Sequence, residues 1–136
     1  MKRYMLDTDI SSYIIRNRPQ SVRERFSKLE SDQLCISAIT EAELAYGVKA
    51  AGAAGARIAL RRDVEDFLRR ITVLEWGGAA VEHYADIRVK LEAAGTPIGN
   101  MDLMIAAHAR SVGAVVVTNN EKHFGRVGGL TVENWA

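Results

Sequence analysis

One cysteine, Cys35, is all the thiol chemistry this chain carries, and a lone cysteine excludes an internal disulfide framework. It sits in the apolar run Leu34-Cys35-Ile36, which reads as a buried thiol and fits the reducing cytoplasm. A chain of 136 residues needs neither a disulfide nor a structural metal. One domain of that size hides roughly two-thirds of the surface its unfolded chain exposes. Residues 1–136 are therefore read as a single domain. Long apolar runs are also missing, so no membrane span is predicted. The opening MKRYMLDTD meets Asp7 before a signal-peptide core can form. A strong charge of one sign is missing too: 18 Lys and Arg stand against 17 Asp and Glu, for a formal net charge of +1. The chain as a whole does not attract polyanions. A role on nucleic acid then requires a local arrangement, an acidic centre ringed by arginines such as Arg61, Arg62, Arg69 and Arg70, which otherwise read as solvated helix faces.

The signatures of several common chemistries are absent. His83, His108 and His123 form no HxH or HxxxH pair. His108, inside an apolar helix, reads as a satisfied core or interface residue. There is no GxSxG nucleophile elbow and no phosphate-binding P-loop.

What is present is an alternation. Short apolar runs at 4–6, 34–36 and 114–117 read as buried strands, followed by 71–74 and a weaker run at 130–132. Helical patterns fill the intervals: 10–16, 21–29 just after Pro19, 40–49, 57–69, 79–93 ended by Gly95 and Pro97, and 101–111 ended by Gly113. The Ala/Gly patch at 50–56 reads as a turn between two helices. Strands alternating with helices predict an α/β layer fold, a three-layer α/β/α arrangement with a central, mainly parallel sheet.

Three strands run directly into oxygen-bearing side chains. Leu6 is followed by Asp7 and Thr8, Ile36 by Ser37, and Val117 by Thr118, Asn119 and Asn120. Ligands of open α/β sheets bind at the carboxyl ends of the strands, although each such residue also suits a helix cap or a turn. Two more carboxylates lie on helices. Glu43 is on the apolar side of its helix, where Thr40 and Glu43 also have the spacing of a capping box. Asp102 opens a helix that is apolar nearly all round, with Asn100 available as the cap, and no basic residue nearby in sequence supplies a counter-charge. If Asp7, Glu43 and Asp102 meet at one sheet edge, they form a set of hard oxygen ligands suited to Mg²⁺ or Mn²⁺. Such an ion can activate water for attack on phosphorus.

Four segments in order, LDTDIS, SAITEAELAYG, GTPIGNMDLMIAAHAR and VVVTNNEKHFGRVGGLTVENW, resemble the VapC toxins of the PIN-domain family, and the resemblance runs from Met5 to Trp135. It implies a PIN-type sheet flanked by helices and endonucleolytic cleavage of RNA with Mg²⁺, for which Mn²⁺ can substitute. It also implies a homodimer and a cognate VapB-type antitoxin that covers the active site, joins the toxin in a hetero-oligomer and brings it to operator DNA. The family's acidic positions fall on Asp7, Glu43 and Asp102. In this reading Asp7 and Asp102 are the metal ligands, and Glu43 reaches the ion through water. Thr8, Ser37, Thr118, Asn119, Asn120 and Glu121 are the supporting candidates. Many relatives carry an aspartate shortly after the threonine of the TN motif. Here Asn119 and Asn120 stand there, followed by Glu121, which leaves a second metal position open.

Two other readings stay in play. LDTDIS also resembles the DxDx(T/S) opening of haloacid-dehalogenase-type phosphatases, with Asp7 as nucleophile, but no DD or GDxxxD follows Val117. The chain can also be read as a PIN-like binding module without catalysis, against which three retained acids speak.

Overall fold

The computed structural model describes residues 2–136. Its centre is a five-stranded sheet of β1 (Tyr4–Leu6), β2 (Leu34–Ser37), β3 (Thr72–Leu74), β4 (Val115–Val117) and β5 (Val132–Glu133), in the order β3-β2-β1-β4-β5. Every pairing is parallel. β1, β2 and β4 are buried throughout, as their unbroken apolar runs require of strands covered on both faces.

The helices are α1 (Thr8–Ile15), α2 (Gln20–Ser27), α3 (Ala38–Ala50), α4 (Ala54–Leu68), α5 (Ala79–Ala93), α6 (Asn100–Val112) and α7 (Glu121–Phe124). They cover the two sheet faces separately, because alternate strand residues point to opposite sides. Tyr4, Leu6, Ile36 and Val117 pack with Ile10, Phe26, Leu44 and Phe67 of α1 to α4. Met5, Cys35 and Val116 pack with Ile87, Leu103, Ala106 and Phe124 of α5 to α7. The architecture is thus the expected three-layer α/β/α, with a sheet that is parallel throughout. Among the described residues no helix is long and apolar enough to cross a membrane.

Several local expectations are corrected. The turn placed at 50–56 occupies only Ala51 to Ala53, since α4 already begins at Ala54. The segment after β4, where no helical pattern is read from the sequence, winds into the short helix α7. The capping box expected at Thr40 and Glu43 is not formed. Ser37, three residues earlier, caps α3 by accepting from Ile39 N at 3.1 Å, which leaves Thr40 inside the helix and frees Glu43. Asn100 does not cap α6. Gly99 holds that position, and Asn100 Oδ1 instead accepts from the Tyr84 hydroxyl at 2.9 Å.

Sheet order decides where a site can form. From β1 the chain winds to β2 and β3 on one side, and to β4 and β5 on the other. The connections leave β1 and β4 in opposite directions, which opens a crevice at their carboxyl ends. Asp7 follows β1 and Thr118 follows β4.

Candidate active site

Asp7 is the innermost of the predicted acids, only 3% exposed. Its carboxylate caps α1, with Oδ1 accepting from Ile10 N at 2.9 Å. Oδ2 accepts from Thr118 Oγ1 at 2.6 Å. A carboxylate offers about four acceptor positions, so these two bonds leave capacity unused. No basic side chain pairs with Asp7 among the described residues. Burial therefore pushes its pKa from 3.8 to about 7. The Thr118 and Ile10 bonds pull it back, and the charges of Asp9 and Asp102 push it further up.

Thr118 relays the arrangement. Its Oγ1 also accepts from Asn120 N at 2.8 Å. The Asn120 side-chain amide donates to Asp102 Oδ2 at 3.1 Å and lies 2.7 Å from His123 Nδ1. Asp102, in the first turn of α6, is thereby tied to Asp7 through two residues of the β4–α7 segment. Its side chain is 29% exposed, so it is more open than its apolar helix predicts. Nor does it lack a basic neighbour: His123 Nδ1 lies 3.4 Å from Oδ2. That contact is invisible in the sequence, because it depends on α7 folding back over the start of α6.

Glu43 reaches the same end of the sheet from α3. Its Oε1 accepts from the Thr8 hydroxyl at 2.6 Å, and Thr8 Oγ1 is 3.3 Å from Thr40 Oγ1. Thr8 directly follows Asp7, so Glu43 is positioned one residue away from the buried carboxylate. The three acids do not collapse into one cage: among the described residues no group of three or more His, Cys, Asp or Glu side chains stands ready to surround an ion. What the structure brings together is a pair of carboxylates, Asp7 and Asp102, linked through the Thr118 hydroxyl and the Asn120 amide. That suits Mg²⁺, which keeps several waters and takes one or two carboxylates from a protein.

The remaining candidates lie further out. Asn119 donates to the Tyr13 hydroxyl at 3.3 Å, and Asn134 Nδ2 donates to Asn119 Oδ1 (3.1 Å) and Glu121 Oε1 (2.9 Å), so Glu121 is held at the rim by the C-terminal segment. Ser37 is fully buried, 2.8 Å from His108 Nδ1. A serine hydroxyl beside an imidazole is the geometry of a nucleophile and its base, but neither group reaches solvent. Ser37 Oγ already caps α3, and burial lowers the His108 pKa. The pair joins the end of β2 to α6, and His108 is the satisfied core residue expected of it. Cys35 is buried with its thiol pKa pushed up to about 11, so it is unreactive. Sequence reasoning missed Asp9, which stands two residues beyond Asp7 and adds to its field. It also missed His123 and Tyr13, which carry no local signal for the site.

The chain has known relatives. Residues 4–130 match the family model described as PIN domain. The chain is 45% identical over 136 residues, all of both proteins, to the tRNA(fMet)-specific endonuclease VapC of Shigella flexneri. It is 42% identical to the ribonuclease VapC2 of Haemophilus influenzae, over 99% of each. Among solved structures it superposes on DNA-bound VapBC from Salmonella typhimurium with a TM-score of 0.91, at 42% identity and complete coverage of both chains. On VapBC2 from Rickettsia felis, bound to a fragment of its promoter, the TM-score is 0.89 at 36% identity, covering 98% of each chain.

Proposed function

The chain belongs to the PIN-domain family, among its VapC ribonucleases, and from that premise we propose that it is a Mg²⁺-dependent endoribonuclease toxin whose metal is held by Asp7 and Asp102. The observation that carries the site assignment is the buried Asp7 carboxylate, which has spare acceptor capacity and no basic partner among the described residues. Burying such a charge is costly unless a cation joins it. Nucleases of this family are metal-dependent, and the oxygen-only donors favour Mg²⁺, with Mn²⁺ as a substitute.

A bound Mg²⁺ supplies activation of the attacking water and neutralises charge developing on the phosphate. The chain's own residues prepare for this. Thr118 fixes the orientation of Asp7, Asn120 fixes Asp102, and Thr8 holds the Glu43 carboxylate at the mouth, where it can orient the attacking water. Asn119 and Glu121 shape the rim. The whole chain acts as one nuclease domain in the cytoplasm, where Cys35 stays reduced. The full-length similarity to a tRNA(fMet)-specific endonuclease makes initiator tRNA the first substrate to test.

The partner is a VapB-type antitoxin. A groove of about 250 Å³ beside Glu43 is lined by Ile15, Leu44, Leu60 and Val64. An apolar helix suits it, with a basic side chain directed at Glu43 or Asp7. Operator DNA is contacted through that antitoxin. A homodimer covers exposed Val81 and Val89 of α5 and Met101 of α6.

The test is cleavage of initiator tRNA by protein freed of antitoxin. Cutting in Mg²⁺ or Mn²⁺ and arrest by EDTA are expected. Undiminished cutting in EDTA removes the mechanism.

A further inference from the structure

α1 has a groove on each side. The one toward α3 and α4 is mainly apolar and fits a helix, as described above, and Arg16 stands at the border between the two. The other, of about 480 Å³, is lined by Tyr13, Arg16, Arg18, Pro19, Asn119 and Ala136. It begins at the candidate active site. Asn119 adjoins Thr118, the hydrogen-bond partner of Asp7, and its amide donates to the Tyr13 hydroxyl at 3.3 Å.

We propose that this second groove guides the single-stranded RNA flanking the scissile phosphate, with a base stacked against Tyr13 and phosphates met by Arg16 and Arg18. The proposal rests on the nuclease reading and adds the residues that hold the substrate strand beside the site. Three observations support it.

The first is charge. Neither Arg16 nor Arg18 makes an ion pair among the described residues, and both side chains are exposed. In a chain with a net charge of only +1, affinity for phosphates has to come from such local cations without a carboxylate partner; Arg16 gives only its Nε, to Ser12 O at 3.4 Å. The dipole of α1 favours a cation at its C-terminal end. That effect is satisfied by one arginine and explains neither the second nor the aromatic ring beside them.

The second is the aromatic surface. The Arg16 guanidinium lies 5.9 Å from the centroid of the Tyr13 ring. Bases of single-stranded RNA stack on aromatic rings and on guanidinium planes alike, which makes the pair a platform tolerant of sequence.

The third is rigidity. α1 ends in a Schellman motif: Arg18 N donates to Tyr13 O at 2.9 Å and Asn17 N to Ile14 O at 3.0 Å, with Asn17 in the left-handed region at φ 63. The turn fixes the backbone from which Arg16 and Arg18 project before any ligand arrives, so only the side chains are left to order on binding.

Binding of a short, end-labelled single-stranded RNA of mixed sequence, followed by fluorescence anisotropy in EDTA over a series of salt concentrations, tests this separately from cleavage. Tyr13→Leu should weaken binding roughly tenfold, as expected for one lost stacked base, whereas Tyr13→Phe, which keeps the ring, should bind like the parent. Arg16→Gln and Arg18→Gln should each lower the slope of log affinity against log salt by about 0.7. Lys90→Gln, the same charge change on exposed α5 across the sheet from α1, serves as the control and should leave the slope alone. Thermal melts of each variant separate lost binding from lost folding. Unchanged affinity and slope in the Tyr13 and arginine variants overturn the proposal even if the parent cleaves RNA normally. Loss of antitoxin binding with RNA binding intact overturns it too, by assigning the groove to the protein partner. A parent that shows Tyr13-dependent RNA binding but never cuts in Mg²⁺ keeps the groove and removes the nuclease reading.

Discussion

Thr118 Oγ1 donates to Asp7 Oδ2 at 2.6 Å across 111 positions of sequence, joining the carboxyl ends of the two strands that flank the sheet's switch point. The same oxygen accepts from Asn120 N, so one hydroxyl orients both the buried acid and the segment that holds Asp102. Thr118→Val keeps the shape and deletes both roles. It should cost about 1–3 kcal/mol in stability, because Asn120 N and Asp7 each lose a buried partner. The Thr118 bond lowers the Asp7 pKa, so its loss raises that pKa further. The acid limb of the cleavage pH profile should therefore move to higher pH, as a pH–rate profile of the variant with excess Mn²⁺ will show. An acid limb that stays in place would mean Asp7 does not control the rate.

Asp7→Asn makes the converse case. With its pKa raised from 3.8 to about 7, Asp7 favours the folded state most when protonated. Its contribution is thus best at low pH and is lost as pH rises from about 4 through 7. Once it is ionised in both states, the metal-free fold carries a penalty on the order of 4 kcal/mol. An asparagine in its place can still cap α1 and does not ionise. At pH 8 without metal, Asp7→Asn should melt at the parent temperature or above it, with the advantage disappearing toward pH 4. Cleavage and most Mn²⁺ binding should be lost together. A variant that melts well below the parent at pH 8 would make Asp7 a structural cap.

The layers of this fold, and half of its site, are legible in the sequence because both depend on short-range patterns. Unbroken apolar runs announce the buried strands, and their ends announce Asp7, Thr118 and Asn120. Pairings between distant segments are not legible. Glu43 reads as half of a capping box because Thr40 stands three residues before it, and only the structure shows Ser37 taking the cap and Thr8, 35 positions away, taking Glu43. His123 reads as a scattered histidine. Its helix is four residues long, too short for any periodicity to predict, and its approach to Asp102 follows from how that helix folds back.

The Ser37–His108 pair supplies a test between structure and chemistry. If it only joins β2 to α6, Ser37→Ala removes one buried hydrogen bond and one helix cap. The expected loss is roughly 1–3 kcal/mol in chemical denaturation, and well-folded protein at low temperature should cleave within a few-fold of the parent rate. A drop of several orders of magnitude with unchanged stability would make Ser37 a nucleophile and displace the metal mechanism.

Ranking the acids tests the site as a whole. Asp102 is fixed by the first turn of α6 and by the Asn120 amide, and it adds to the field that raises the Asp7 pKa. Asp102→Asn should therefore abolish detectable cleavage and most Mn²⁺ binding while the fold survives, since an amide relieves like-charge repulsion in the metal-free protein. Glu43 is held by Thr8 rather than by the Asp7–Asp102 chain. Glu43→Gln should accordingly cut the rate by orders of magnitude but retain measurable Mn²⁺ binding. Glu121 is exposed and engaged by Asn134 at the rim, so Glu121→Gln should cost the least in both. Cleavage rates, Mn²⁺ titrations and metal-free melting curves on the three variants give the order directly. Normal cleavage by Asp102→Asn, or its unfolding without metal, would show that Asp102 serves the helix and not the ion. The proposed metal site would then have to be rebuilt around Asp7 with Glu43 or Asp9.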